Sequence, residues 1–326
     1  MKVLVTGSAG FIGAAVSREL LDRGDTVVGI DNLNAYYSPA LKRARLSRLE
    51  PDPHFSFREC DIADVDALES VFAENDFDRV VHLAAQAGVR WSLDHPSVYV
   101  RSNIDGFVNV LECCRRHPVS HLVYASSSSV YGNRTEAPFR ESDALNRPES
   151  LYAATKIADE LLASTYSGLY SIPATGLRFF TVYGPWGRPD MAPMLFLKSI
   201  DRGLPIRVFN HGDLLRDFTY IDDIVEGVVR VLDNAPQERD GRRHTIYNIG
   251  HGSPVRLLDF IEALEKAAGR SAEKEWMPMQ PGDVVQTFAD TDKLAHDFGY
   301  RPTTTLEEGL KHLVAWYRAE GSVLYD

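Results

Sequence analysis

The sequence predicts an α/β protein with a doubly wound parallel sheet and a smaller α/β substrate-binding domain. Three observations carry this expectation. Through the first half of the 326-residue chain, short β-rich runs alternate with stretches whose apolar residues recur at spacings of three and four. A glycine-rich turn follows the first of those runs, and an acidic residue closes the second. Strand, helix, strand repeated in this way implies right-handed crossovers and a parallel sheet covered on both faces, with ligands at the carboxyl ends of the strands.

In chain order, the expected strands are residues 2–6, 26–30, 55–58, 79–84, 121–126 and 174–179, and the helices between them residues 11–23, 64–74, 103–116 and 153–167. After Tyr183 the rhythm changes. Pro185, Pro189, Pro193 and Pro205, then Pro254, Pro278, Pro281 and Pro302, punctuate shorter elements, with helical periodicity over 224–233, 257–268 and 306–318. The expected division is residues 1–183 for a dinucleotide and 184–326 mainly for a substrate, with a segment near 218–250 returning to the large sheet through the apolar run 244–249.

Composition excludes several classes of function. No stretch approaches the ~18 uninterrupted apolar residues of a membrane helix. A net charge of −11 repels nucleic acid and anionic lipid, so an anionic ligand must find a local group of Arg. Cys60, Cys113 and Cys114 are the only cysteines, and the adjacent pair lies in a helical stretch where a mutual disulfide would be strained. With a first strand at residues 2–6 and no apolar leader before it, the expectation is a cytoplasmic protein with reduced thiols. The sequence has no HExxH pattern and no CxxC pair, and no metal is expected.

Gly7-Ser8-Ala9-Gly10-Phe11-Ile12-Gly13 stands between the first strand and the first helix. There, glycines permit a tight turn and let a pyrophosphate reach the N–H groups of the helix start. Asp31 ends the second strand, where a carboxylate binds both adenosine ribose hydroxyls and repels a 2′-phosphate, which favours NAD over NADP. An ordinary strand-to-helix turn and an N-cap are the plainer alternatives for the glycines and Asp31. Asp61 and Ile62 follow the third strand within reach of an adenine, although Asp61 suits a helix cap equally well. Leu83, Ala84 and Ala85 end the fourth strand in residues small enough for close passage of a cofactor or for bare packing.

Tyr152 and Lys156 are four apart and project from one helical face, and the serine run 126–129 ends a strand at the nicotinamide side. A phenol with an ordinary pKa near about 10 is a poor base, but an adjacent ammonium and a cationic nicotinamide stabilise its phenolate. Lys156 would supply that field and bind the nicotinamide ribose. Ser127 would hydrogen-bond the reacting oxygen. Taken singly, a surface Tyr beside a Lys and a polar turn explain the same residues.

Taken together, these spaced motifs resemble the extended short-chain dehydrogenase/reductases, and the chain resembles their nucleotide-sugar epimerase branch over essentially its whole length. The resemblance implies a Rossmann domain holding NAD, and identifies Ser127, three residues before Val130, as the hydroxyl of a Ser-Tyr-Lys triad. Ser126 and Ser128 are the adjacent alternatives. Related sugar dehydratases and decarboxylases carry an acidic residue just after this hydroxyl, where the present sequence has Ser128, Ser129 and Val130. Reversible oxidation at C4 is the simplest chemistry that remains.

Residues 177–191, which contain Thr181 and the run Trp186-Gly187-Arg188-Pro189-Asp190-Met191, resemble the UDP-glucuronate 4-epimerases, as does Arg90 followed by Trp91. UDP-galactose 4-epimerases usually carry Asn at the position of Thr181. A hexuronate places a carboxylate beside the reacting carbon, and Thr181, Ser128, Ser129 and Arg188 are suitable donors to it. The resemblance also implies that Arg216 binds the UDP diphosphate and Asp283 its ribose, with an Arg216–Asp217 ion pair and a turn residue as the structural alternatives. Asn103 and Phe179 stand where they would line the nicotinamide or simply fill core. The expected partners are a UDP-sugar and a second subunit, the homodimer forming through helices 103–116 and 153–167. Epimerisation of a neutral UDP-hexose is the rival within the class; an inactive NAD-sensing regulator on the same fold is the rival outside it.

Overall fold

The computed structural model describes residues 1–325. Its centre is a seven-stranded parallel sheet containing β1 (Lys2–Thr6), β2 (Thr26–Asp31), β3 (Phe55–Glu59), β4 (Arg79–His82), β5 (His121–Ser127) and β6 (Ala174–Phe179). Three small two-stranded sheets lie outside it. In them β7 (Thr181–Tyr183) pairs with β10 (Phe218–Tyr220), β8 (Ile206–Val208) with β13 (Lys274–Trp276), and β9 (Leu215–Arg216) with β12 (Val255–Arg256). The seventh strand of the large sheet is β11 (His244–Ile249), which lies along β6 in parallel register.

The strand order is β11-β6-β5-β4-β1-β2-β3. The chain runs outward from β1 on one side and, after β3, outward from β4 on the other, so the connections diverge between β1 and β4 and leave a crevice at their carboxyl ends. Strand alternation separates two apolar layers. Val3 and Val5 face Val16 and Leu20 of helix Phe11–Asp22 and Ile224 and Val228 of helix Ile221–Asp233. Leu4 and Val28 face the other layer, with Leu68, Phe107 and Val110. The first layer continues past the sheet edge through Tyr183, Phe218 and Phe260 to Leu310, so the substrate side is built on the same core.

The expected strands and helices of the first half are present, with informative differences at their ends. β4 stops at His82 because residues 83–85 leave the sheet to pass beneath the glycine turn. Leu83 N–H donates to the Thr6 carbonyl at 3.2 Å and Ala84 N–H to Thr6 Oγ1 at 3.1 Å. A Cβ on Gly7, whose φ is +73°, would lie 2.8 Å from the Ala84 nitrogen, so this crossing requires glycine. The expected helix 103–116 begins as a wider π-helical turn, Val100–Asp105, before Gly106–Arg116. Helix Leu151–Tyr170 starts two residues earlier than its periodicity suggests, because Ser150 Oγ accepts from Ala153 N–H and caps it. Helices Pro39–Leu46 and Ala192–Arg202 escaped the sequence reading.

Candidate active site

A cleft of about 780 Å³ opens at the carboxyl ends of the strands. Every residue expected to hold cofactor or sugar lines it except Asp61 and Asn103. At its floor, Gly10, Phe11, Ile12 and Gly13 begin the first helix. No side chain caps that start, which leaves its first N–H groups for an anion. A Cβ on Gly13 would lie 2.1 Å from the Gly7 carbonyl oxygen, so the turn closes only around glycine. The residues present therefore fit a dinucleotide pyrophosphate.

Asp31 is buried at the end of β2 and its Oδ1 accepts from Leu33 N–H at 2.8 Å. Burial pushes its carboxyl up, against Lys42, whose Nζ stands 3.9 Å away, and the N–H groups of Leu33 and Ala9. The N-cap alternative fails, since Asp31 begins no helix. Lys42, in a helix the sequence reading missed, also donates to Asn34 Oδ1 at 3.1 Å.

Asp61 and Asn103 are not among the residues that line the cleft. Asp61 Oδ1 accepts from Ala63 N–H, and its other oxygen meets Arg101 at 3.4 Å. Asn103 is buried and spends its amide on the backbone N–H and carbonyl of Gln86 and on Thr155 Oγ1, at 2.8, 3.1 and 3.0 Å. It fixes the loop after β4 rather than touching the cleft.

The chemical end of the cleft is formed where β5 runs out. Ser126 points inward and donates to Glu160 at 2.6 Å, within a buried group that includes the Arg178–Glu160 ion pair at 2.8 Å. Strand alternation turns Ser127 to the opposite side. Its Oγ accepts from Ser129 N–H at 3.2 Å and Ser129 Oγ at 2.9 Å, leaving its own proton to donate. Tyr152 lies in the first turn of helix Leu151–Tyr170, one turn before Lys156. Tyr99 packs edge-on against the Tyr152 ring at 6.1 Å, and Ser92 Oγ accepts from Tyr152 N–H at 3.3 Å. Lys156 donates from Nζ to the Ala125 carbonyl at 3.0 Å, which ties it to the end of β5.

Thr181, at the start of β7, lines the same cleft as the serine run. Arg188 lines it as well, but its guanidinium is already forked onto Asp190, with Nε to Oδ1 at 3.1 Å, and Tyr36 OH donates to Asp190 Oδ2 at 2.9 Å. Arg45 braces this loop against the glycine turn. It donates to the Ala9 carbonyl at 3.1 Å and the Trp186 carbonyl at 2.7 Å.

Arg216 is not paired with Asp217. The Asp217 carboxylate accepts instead from the N–H groups of His251, Gly252 and Ala289. Arg216 donates to the carbonyls of Leu215, Val284 and Val285, and burial lowers its pKa, against the pull of Asp283. A half-buried cation satisfied only by neutral acceptors suits a polyanion. Asp283 lines the cleft and comes within 4.0 Å of Arg90 Nε, so the two walls meet there. Tyr36, Lys42, Arg207 and Phe209 line the cleft as well, beside Trp91, and no local spacing in the sequence marks these four. His117 and His121, four apart, serve elsewhere, on Glu69 and on the Leu232 carbonyl with Thr175. Among the described residues no group of three His, Cys, Asp or Glu could hold a metal.

A parallel sheet whose switch point carries a glycine turn, with a Ser, a Tyr and a Lys gathered beside it, defines an extended short-chain dehydrogenase/reductase. The chain belongs to the NAD dependent epimerase/dehydratase family, which it matches over residues 3–250. It is 50% identical over 327 residues to UDP-glucuronate 4-epimerase 4 of Arabidopsis thaliana, covering 97% of this chain and 75% of that one. It is 48% identical over 329 residues to Protein CapI of Staphylococcus aureus, covering 97% and 98% of the two chains. The crystal structure of UDP-glucuronic acid 4-epimerase from Bacillus cereus, in complex with UDP-glucuronic acid and NAD, superposes with a TM-score of 0.90 at 37% identity, covering 98% of this chain and 99% of that one.

Proposed function

We propose that this protein is an NAD-dependent 4-epimerase that interconverts UDP-glucuronate and UDP-galacturonate through a 4-keto sugar. The observation that carries the reading is one cleft lined by Ser127, Tyr152 and Lys156 together with Ser128, Ser129 and Thr181, with no carboxylate following Ser127. The glycine turn and Asp31 would hold NAD, which supplies a reversible hydride acceptor when bound. Tyr152 takes the O4 proton as phenolate, directly or through Ser127, and Lys156 holds the negative charge beforehand. Arg216 and Asp283 keep the nucleotide in place while the ketopyranose turns over about its diphosphate linkage and presents its other face. Tyr152 then returns the proton. Incubating the protein with UDP-glucuronate without added cofactor, and following the sugar H4 by proton NMR, tests the whole reading. Failure of a second H4 signal to grow in would overturn it.

A 4-keto-uronate is a β-keto acid and loses carbon dioxide when the carboxylate bond aligns with the carbonyl π system. Ser128, Ser129 and Thr181, with the remaining donors of Arg188, hold the carboxylate near the carbonyl plane so that reduction comes first. Thr181→Ala is expected to raise the ratio of 4-keto-pentose to epimerised product by about tenfold to a hundredfold, the worth of about one hydrogen bond to a charged group. An unchanged product ratio would count against this role. The engagement of Arg188 by Asp190 favours the rival reading, a neutral UDP-hexose substrate. Offering UDP-glucuronate and UDP-glucose in competition decides between them.

Asp31 is proposed to select NAD. Asp31→Ser should weaken NAD and raise the affinity for NADP relative to NAD by about tenfold to a hundredfold, because Lys42 then faces the 2′-position without its carboxylate. Titration of apoprotein with both nucleotides reads this directly.

The finer assignments are ours as well. We assign residues 184–326, apart from the segment that returns to the large sheet, to the UDP-sugar. Helix Leu151–Tyr170 exposes Leu161 and Leu169, which suits a homodimer. The three free, buried cysteines suit the cytoplasm. No helix among the described residues is long and apolar enough to cross a membrane.

A further inference from the structure

Lys156 and Asp159 lie three apart on one helix, their side chains each only 2% exposed, with Nζ 3.0 Å from Asp159 Oδ2. The ammonium spends one N–H on this carboxylate and one on the Ala125 carbonyl, which leaves one for the cleft that Lys156 lines. Asp159 Oδ1 is buried without a partner. Enclosing two ions costs about as much as their attraction returns, so such a pair is weakly explained by stability alone. A carboxylate here also weakens the positive field that Lys156 presents to Tyr152. It therefore stands in tension with the simplest account of how the phenol is activated.

The charge cycle of the reaction resolves the tension. When the O4 proton passes to Tyr152, the phenolate becomes a neutral phenol, and the anion nearest the ammonium on the cleft side disappears. An enclosed ammonium without an anion gives up its proton. Burial pulls Lys156 down, and Asp159 is the foremost group that together with Tyr152 and Glu160 carries it above its ordinary value. Burial pushes Asp159 itself up to about 6, against the pull of Lys156, so it is the anion of the pair from neutral pH upward. The other groups facing the pair hold one charge throughout. His82 on β4 and His244 on β11 are pushed down to about 3 and about 4 by burial and stay neutral. Tyr124 on β5 is pushed well above its ordinary range by burial, and Arg178 on β6 is paired with Glu160.

We propose that Asp159 is a positioning residue of the reaction: it keeps Lys156 an ammonium while Tyr152 is a neutral phenol, and holds Nζ between β5 and the cleft. The inference rests on the assignment of Tyr152 and Lys156 above. Removing one negative charge lowers the titration of every neighbouring group, so Asp159→Asn moves both limbs of the turnover profile to lower pH by about one to three units. The expected second readout needs no substrate. The tyrosinate absorbance step of the holoenzyme, isolated as wild type minus Tyr152→Phe and as Asp159→Asn minus the double variant, moves in the same direction.

Asp159→Glu keeps the charge, and its limbs stay near those of wild type. Asp159→Ser reads the same shift if the amide variant does not fold. Limbs and absorbance step that stay in place, with or without lower turnover, overturn the proposal and leave Asp159 a structural residue. Normal turnover in Tyr152→Phe overturns the underlying assignment instead.

Discussion

Tyr152→Phe is expected to lower the turnover of UDP-glucuronate by about 10²- to 10⁴-fold, the range in which one positioned acid–base group contributes. The substitution removes only the hydroxyl. The ring packing against Tyr99 and the bond from Tyr152 N–H to Ser92 Oγ remain, so the first turn of the helix keeps its place. Lys156 keeps Ala125 and Asp159 as partners, and the cofactor should stay bound. The measurement is single-turnover reduction of bound cofactor together with the cofactor content of the purified variant. Near-normal reduction would remove Tyr152 from the reaction.

Gly13→Ala is expected to lower the affinity for NAD by about tenfold to a hundredfold, from ~1–3 kcal/mol of overpacking. The new methyl would lie 2.1 Å from the Gly7 carbonyl oxygen and 3.2 Å from the Ser8 Cα, and both obstacles are backbone. No side chain can swing away to make room. The turn must open, which displaces the N–H groups that the pyrophosphate needs, and opens Gly7 away from Ala84 on the crossing strand. Equilibrium titration of apoprotein with NAD, beside a thermal melt, separates lost affinity from lost fold. Wild-type affinity would show that the turn has slack the geometry denies it.

The electrostatics of the two ends of the cleft differ in a useful way. At the end of β2, Asp31 is opposed by Lys42 but engaged by no ion pair shorter than 3.9 Å. Where β5 ends, two buried ion pairs stand side by side, Lys156 with Asp159 and Glu160 with Arg178.

The sequence by itself determined the sheet, the glycine turn, the carboxylate ending β2, and the Tyr152–Lys156 pair, because each is a short-range pattern. Strand alternation, helical spacing and the conformational freedom of glycine act within a few residues. Four serines in a row have no internal mark, and only the structure shows that the Ser126 hydroxyl is already spent on Glu160 of a neighbouring helix. The partners of Asn103 and Asp61 needed the structure for the same kind of reason, since Gln86, Thr155 and Arg101 stand away from them along the chain. The pairing of Arg188 with Asp190 joins neighbours in sequence, yet its hold depends on Tyr36, which comes from more than a hundred residues away along the chain at a separation of 154. What tertiary structure alone decided is therefore the state of each polar group, because whether a charge is answered or free depends on every atom within a few ångströms, and most of those come from distant parts of the chain.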